Sequence, residues 1–367
     1  MPCDSKSSCR LVFKTLIALI NLKKTLQGEY VSAQPQLINK VDRSPSERLW
    51  EMAAGDMASV DQIILERMQS PVGLIPDLAK HLISAGGKRL RPLLTVATSL
   101  MCGYKGDKHH KLAAAVEFIH SATLLHDDVV DDSTLRRGKK PANLVWGNSP
   151  SILVGDFLFA RAFNLMVETN SLEALKILSN ASSIIAEGEV RQLAALGNMQ
   201  MDEDSYMQVI SAKTAALFSA STEVSAVITA QSDEKRKALH DYGLKIGLAF
   251  QLVDDALDYS GFESKLGKSL GDDFREGKMT LPVIRAIEFS KHENDSFWHR
   301  VIVERNQNNE DFKKAMLLIK SSKSIESTIE LARQYSLEAK ELLNVFDASP
   351  WRTTLQELAS YIVERAS

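Results

Sequence analysis

The chain has 367 residues, of which 25% are charged and 44% hydrophobic, with a formal net charge of −3. That length accommodates one large domain or two and buries a sizeable core, while the charge excludes nucleic-acid binding through a global basic field. Prolines and glycines are few, and apolar residues recur at helical rather than alternating spacing, which predicts an all-α protein.

Residues 11–20, LVFKTLIALI, form an apolar run after Arg10. The run is too short to span a bilayer. Lys14 and the lack of a small-residue cleavage site argue against a signal peptide. Arg10, Lys14, Lys23 and Lys24 among serines would suit a mitochondrial transit peptide, with Asp4 against it. The simplest reading of residues 1–43 is a poorly ordered extension outside the fold, or the product of an upstream start codon. The three cysteines, Cys3, Cys9 and Cys102, match no metal-binding spacing. They indicate a reducing compartment, the cytoplasm or, in a eukaryote, the mitochondrial matrix.

The folded part is predicted to begin at Ser44. Ser44-Pro45-Ser46-Glu47 reads as an N-cap, a proline at the first helical position and a capping-box glutamate. Helical periodicity then continues, with breaks at Ser70-Pro71, Gly86-Gly87, Gly103, Gly138 to Pro150, Gly197 and 260–278. No linker rich in Pro, Gly or Ser divides the chain. Residues 44–367 therefore read as one all-α domain, a single large bundle of antiparallel helices. From about Ser290 the pattern is amphipathic and carries no recognisable chemistry.

In chain order, the first charged stretch is Gly86-Gly87-Lys88-Arg89-Leu90-Arg91-Pro92. Its glycines allow close backbone approach to a ligand and its cations suit phosphate oxygens, although such a run is more often a solvated turn. Next comes Asp127-Asp128-x-x-Asp131, after the apolar run 122–126. Positions i and i+4 of a helix face the same way, so about one turn presents a carboxylate cluster. His120 sits two turns before Asp127, where a lone histidine is more often structural. Arg136-Arg137-Gly138-Lys139-Lys140 follows, a basic run that could meet the far oxygens of a bound phosphate or simply be solvated. Lys213-Thr214 says little alone. The acidic pattern then repeats as Asp254-Asp255-x-x-Asp258. The segment 265–278, with Lys268 and Lys278, has the composition of a loop that closes over a site.

Carboxylates held this close repel unless a cation compensates them. Oxygen ligands with room for water and phosphate suit Mg²⁺. Two facing clusters would grip a phosphorylated substrate through it.

The combination resembles the trans-type (E) polyprenyl diphosphate synthases, and within them the long-chain octaprenyl, solanesyl and decaprenyl enzymes of quinone side-chain synthesis. The matching stretches are GGKRLRP at 86–92, VEFIHSATLLHDDVVDDSTLRRGK at 116–139, GDFLFARAF at 155–163, EGEVRQL at 187–193, AKTAALF at 212–218 and GLAFQLVDDALDYSGFESKLGKSLGDDFREGKMTLP at 247–282. The resemblance runs from about residue 45 to the C-terminus and leaves the N-terminal extension without a counterpart. It implies an isoprenoid-synthase bundle around a central catalytic cavity, a homodimer, and no transmembrane segment, with product passing to a membrane enzyme. It implies that Asp127, Asp128, Asp131, Asp254, Asp255 and Asp258 hold Mg²⁺ against an allylic diphosphate primer, which Arg136 contacts. By the same resemblance Lys88, Arg91, His120 and Arg137 bind isopentenyl diphosphate. Lys213, Gln251, Lys268 and Lys278 assist the allylic side, with Thr214 beside the developing carbocation. The implied product is a long all-trans polyprenyl diphosphate of about C40–C50, each condensation adding one five-carbon unit to a cation kept in a dry apolar pocket.

Product length should follow the depth of the tunnel below the first cluster. Ala122 and Thr123 lie five and four positions before Asp127, Ala122 roughly 7.5 Å down the helix. Short-chain relatives commonly carry an aromatic residue there, whereas alanine leaves the path open. Phe159 and Phe163 are candidates for a deeper floor. Two other readings are weaker. A class I terpene cyclase would carry a different second metal motif, which fails here at Phe262. A non-catalytic partner subunit would have lost aspartates from one cluster.

Overall fold

The computed structural model describes residues 43–84, 87–136, 138–260, 271–308 and 310–364, and among them every regular element is helical. The chain divides into a unit Met1–Arg43 and a unit Ser44–Ser367, of which the second is described here. The expected extension 1–43, apart from Arg43, lies outside the described residues, as do Gly86, Arg137, Phe262 and Lys268.

The helices run α1 (Pro45–Met52), α2 (Ala54–Arg67), α3 (Leu74–Ser84), α4 (Leu90–Met101) and the long α5 (Lys108–Val130). The short α6 (Ala142–Trp146) leads into α7 (Asn148–Glu168), α8 (Leu172–Ala195) and α9 (Glu203–Ile210). A π-helical turn, Ser211–Ala215, joins α9 to α10 (Ala216–Ile228), followed by α11 (Asp233–Leu257). Shorter helices α12 (Asp272–Arg275), α13 (Leu281–Phe289) and α14 (Asp295–Trp298) precede α15 (Asp311–Ser321), α16 (Ser324–Leu342) and α17 (Pro350–Glu364).

The predicted start is present in full. Ser44 Oγ accepts from the Glu47 backbone and the Glu47 carboxylate accepts from the Ser44 backbone, with Pro45 opening the helix. One predicted break is corrected. Gly138 to Pro150 contains α6, and Pro150 lies inside the first turn of α7, where its missing N–H costs nothing.

The centre of the bundle is α4 and α10. Eight successive residues of α4, Pro92 to Ser99, are buried, which only a helix surrounded on all sides shows. Small hydroxyl residues let α4 and α10 approach and lock them together. Thr95 Oγ1 donates to Ser221 O at 2.8 Å, Ser225 Oγ donates to Thr95 O at 3.0 Å, and Thr98 Oγ1 and Ser225 Oγ are 2.7 Å apart. Each buried hydroxyl is thereby satisfied. α11 joins this pair, its Leu239 O accepting from Thr222 Oγ1 at 2.6 Å. The helix α5 packs chiefly along α7. In this frame α5 and α11 carry the two acidic patterns on their last turns.

Candidate active site

The first cluster sits where α5 ends. Asp127 and Asp128 are in its last turn and Asp131 is its C-cap. Asp128 is 1% exposed, and Arg136 Nε donates to its Oδ1 at 2.6 Å. The basic run places that arginine by turning back. Arg136 and Lys139 exchange backbone hydrogen bonds of 2.9 and 3.0 Å, with Gly138 at φ 75°. Asn143 Nδ2 donates to Asp128 O at 2.8 Å and anchors the cluster from α6. Burial pushes the Asp127 pKa up to about 7 and also raises that of Asp128. Lys213 works against this at Asp127, and Arg136 does so at Asp128.

The second cluster ends α11, with Asp258 as its C-cap. Asp255 is 4% exposed. Tyr206 of α9 donates to its Oδ2 at 2.6 Å and Gln251 Nε2 to its Oδ1 at 2.7 Å. Burial raises the Asp255 pKa strongly and Asp273 adds to this, while the two hydrogen bonds oppose it. Asp258 Oδ2 accepts from the Asp273 backbone at 3.1 Å, and Asp258 O accepts from the Gly271 backbone at 3.0 Å. The chain is thus drawn back over the cluster just before Lys278.

Two connections bring the clusters together. Within the π-helical turn, Lys213 Nζ lies 3.8 Å from Asp127 Oδ2 of the first cluster. Its neighbour Thr214 donates through Oγ1 to Gln251 Oε1 at 2.8 Å, and Gln251 holds Asp255 of the second. From the other side, Lys278 Nζ lies 3.3 Å from Asp131 Oδ2. Burial opposes the Lys278 charge, yet Asp273, Asp131 and Glu276 outweigh it and raise its pKa. The expected set Asp127, Asp128, Asp131, Lys213, Thr214, Gln251, Asp255 and Lys278 therefore occupies one site, and Asp254 and Asp258 share the last turn and cap of α11.

Sequence reasoning gave no role to Glu189, Tyr206, Asn143 or Asp273. Glu189, in the EGEVRQL stretch of α8, accepts from Lys213 Nζ at 2.7 Å. That contact needs α8 to touch the π-helical turn. A Cβ on Gly188 would meet Ala212 Cβ at 2.8 Å and Lys213 N at 2.9 Å, so glycine permits the approach.

A cationic corner lies at the start of α4. Arg91 Cζ stands 4.2 Å over the Phe218 ring and its Nη1 is 3.4 Å from His120 Nε2. Lys88 O accepts from Trp50 Nε1 at 3.2 Å. Arg91 and His120, both expected to bind the same second diphosphate, are thus together.

The chain-length candidates are spread out. Ala122 is fully buried, and Thr123 donates back to His120 O at 2.8 Å. Phe159 is half-buried and stacks on His126 at 6.2 Å. Phe163, in contrast, is 39% exposed. A cleft of about 430 Å³ flanks the π-helical turn on the side of Met207, Ser211 and Tyr335, but none of the six aspartates lines it.

The six carboxylates, two of them shifted strongly upward by burial, offer only oxygen ligands at the ends of α5 and α11. That set fits a hard divalent cation.

The chain matches the polyprenyl synthetase family model over residues 73–319. It is 42% identical to octaprenyl diphosphate synthase of Escherichia coli strain K12 over 319 residues, covering 87% of this chain and 98% of that one. Among solved structures, a polyprenyl synthase from Caulobacter crescentus CB15, complexed with calcium and isoprenyl diphosphate, superposes with a TM-score of 0.85 at 54% identity, over 88% of this chain and 98% of that one. A decaprenyl diphosphate synthase from Rhodobacter capsulatus does so with a TM-score of 0.85 at 49% identity, over 88% of this chain and 100% of that one. The extent of these matches and the joined aspartate clusters lead to one conclusion: the chain belongs to the polyprenyl synthetase family.

Proposed function

We propose that the chain is a long-chain trans-prenyltransferase that condenses isopentenyl diphosphate repeatedly onto an allylic diphosphate, giving an all-trans polyprenyl diphosphate of about C40–C50. The observation that carries this reading is the π-helical turn, whose consecutive residues Lys213 and Thr214 reach the two aspartate clusters. A diphosphate held there meets both clusters and the lysines at once.

Mg²⁺ is the ion we assign; Asp127, Asp128, Asp131, Asp254, Asp255 and Asp258 would hold it, some of them through water, with Arg136, Tyr206 and the Asp273 backbone fixing Asp128, Asp255 and Asp258. When bound it supplies positive charge against the diphosphate oxygens. Arg136, Lys213 and Lys278 add fixed positive charge on the leaving group, so the allylic C–O bond breaks heterolytically with its electron pair on the diphosphate. Thr214 and Gln251 place dipoles beside the developing allylic cation, and the apolar helix faces exclude water from it. Lys88, Arg91 and His120 orient the second diphosphate so that the double bond of isopentenyl diphosphate attacks. A new C–C bond forms and a proton passes to the departing diphosphate. Arg137 and Lys268 belong to this proposal by resemblance alone. A quinone side chain is the destination we assign to the product.

We assign a homodimer as the working form. α7 is long and apolar enough to meet the criterion for a membrane span, but it packs along α5. On its outer side Leu153, Phe163 and Val167 are 67%, 39% and 60% exposed at helical spacing, and Leu172, Val190 and Leu193 of α8 are 80%, 68% and 55% exposed. A second copy covers such a face more readily than water does.

The test is turnover by the purified chain alone with Mg²⁺, farnesyl diphosphate and isopentenyl diphosphate. Products of about C40–C50 are expected, from a pocket that stays dry through each cycle. Turnover only after adding a second protein, or products ending near C20, would reject the reading.

A further inference from the structure

Outside the catalytic clusters, three metal-ligating atoms converge where the proposed chemistry has no use for them. Asp56 of α2 meets His109 and His110 in the first turn of α5. Asp56 Oδ1 lies 2.9 Å from His109 Nε2 and 2.8 Å from His110 Nε2, and the three ligand atoms all lie within 4.8 Å of one another. We propose that Asp56, His109 and His110 bind one late first-row divalent cation, Zn²⁺ foremost, with water as the fourth ligand.

The donor set selects the metal. Two imidazole nitrogens and one carboxylate oxygen suit Zn²⁺ and its neighbours, whereas Mg²⁺ takes oxygen ligands. The spacing is close to what is needed. Ligands about 2.0–2.1 Å from a tetrahedral ion stand about 3.4 Å apart, so each nitrogen has to open from the oxygen by only about half an ångström.

Adjacent helical residues normally point about 100° apart. Here the two imidazole rings turn to the same oxygen, with centroids 4.0 Å apart. His109 is 1% exposed, and the Tyr104 ring meets it edge-on at 5.3 Å, which fixes its plane. The nitrogen that faces the cluster is Nε2, while Nδ1, on the other edge of the ring, is buried without a hydrogen-bond partner. The side chains of His110 and Asp56 are 17% and 29% exposed, which leaves an open side for the ion and its water. A helix N-terminus disfavours a cation, and the carboxylates of Asp56 and the N-cap Asp107 offset that.

His109 stands 18 positions before Asp127 on one helix, about 27 Å away, so this site is independent of the catalytic metal and of the function proposed above. Its effect would be to clamp α2 to the start of α5.

The experiment uses the full chain, stripped with a chelator and titrated with Zn²⁺ against a chromophoric competitor in excess Mg²⁺. One Zn²⁺ per chain is expected, and Co²⁺ in its place should give the visible absorption of a tetrahedral nitrogen–oxygen site. Loss of an outer partner alone weakens metal sites about 10–100-fold, so His110→Ala should weaken binding more than about 100-fold. Asp56→Asn serves as a second variant, with melting curves to verify that each is folded. No stoichiometric Zn²⁺ in the parent chain, or equal binding in folded His110→Ala, would leave a hydrogen-bonded cluster only and overturn the proposal.

Discussion

Lys213 Nζ stands 2.7 Å from Glu189 Oε2 and 3.8 Å from Asp127 Oδ2, shared between a residue the sequence flagged and one it did not. The aspartates were legible because six carboxylates in two identical short patterns demand a cation. Glu189 and Tyr206 were not. A single glutamate or tyrosine in a helical run has no local signature, and their partners Lys213 and Asp255 lie 24 and 49 positions away. The basic run at 136–140 was legible as charge but not as geometry, since Arg136 reaches Asp128 only through the reversal closed with Lys139. Phe163 shows the same limit from the other side: an aromatic residue at core spacing turned out exposed. Ala122 is the residue whose size matters most. It is fully buried on the helix that carries the first cluster, so a ring there has no solvent to enter. Ala122→Phe should cost about 1–3 kcal/mol of stability through overpacking and shorten the product to about C15–C20. Reversed-phase chromatography of the dephosphorylated products reads this directly, and unchanged length would remove Ala122 from the path of the growing chain.

At the scale of elements, the breaks at Gly103 and Gly197 were legible through glycine, the one at Ser70-Pro71 through proline and the helix start at Ser44 through its capping box, whereas Asn170, Ala230 and Lys323 offered none of these. Asn170, Ala230 and Lys323 each take φ near +50°, at 52°, 50° and 53°, after or before a helix without the glycine that usually marks such a turn. The π-helical turn at Ser211–Ala215 also had no signal, because its sequence is ordinary helix-forming. Its insertion re-aims Lys213 and Thr214 at the site, as such bulges often do. Gly247 of α11 lets that turn come close. A Cβ there would fall 2.6 Å from Ala215 Cα, a backbone atom that cannot swing aside. Gly247→Ala should therefore cost about 1–3 kcal/mol and displace the π-helical turn. A melting temperature several degrees lower is expected, with kcat falling more than KM rises. A variant that keeps both would show that α11 and the turn have slack to give.

At the scale of the whole molecule, the net charge of −3 provides little long-range repulsion between copies. The homodimer proposed above would then depend on the outer face of α7 and α8. Single exposed apolar residues are ordinary, but several large ones on two neighbouring helices, Leu153, Phe163 and Val167 on α7 and Leu172, Val190 and Leu193 on α8, are not. A stable homodimer needs on the order of 1,200–2,000 Å² of buried surface, which two long helices per copy can supply. Substituting glutamate for both Leu153 and Val167 separates the alternatives. Both side chains are more than half exposed in one chain, so their replacement should change the stability of an isolated copy by no more than about 0.5 kcal/mol each. Inside an interface the same change buries two unpaired charges related by symmetry to two more, and the dimer should dissociate. Light scattering after size exclusion is expected to give twice the chain mass for the parent and the single chain mass for the double variant. A parent already at the single mass, or a variant still at twice it, would move the contact away from this face. Partition of the parent onto lipid vesicles at the single mass would instead assign this face to a membrane surface.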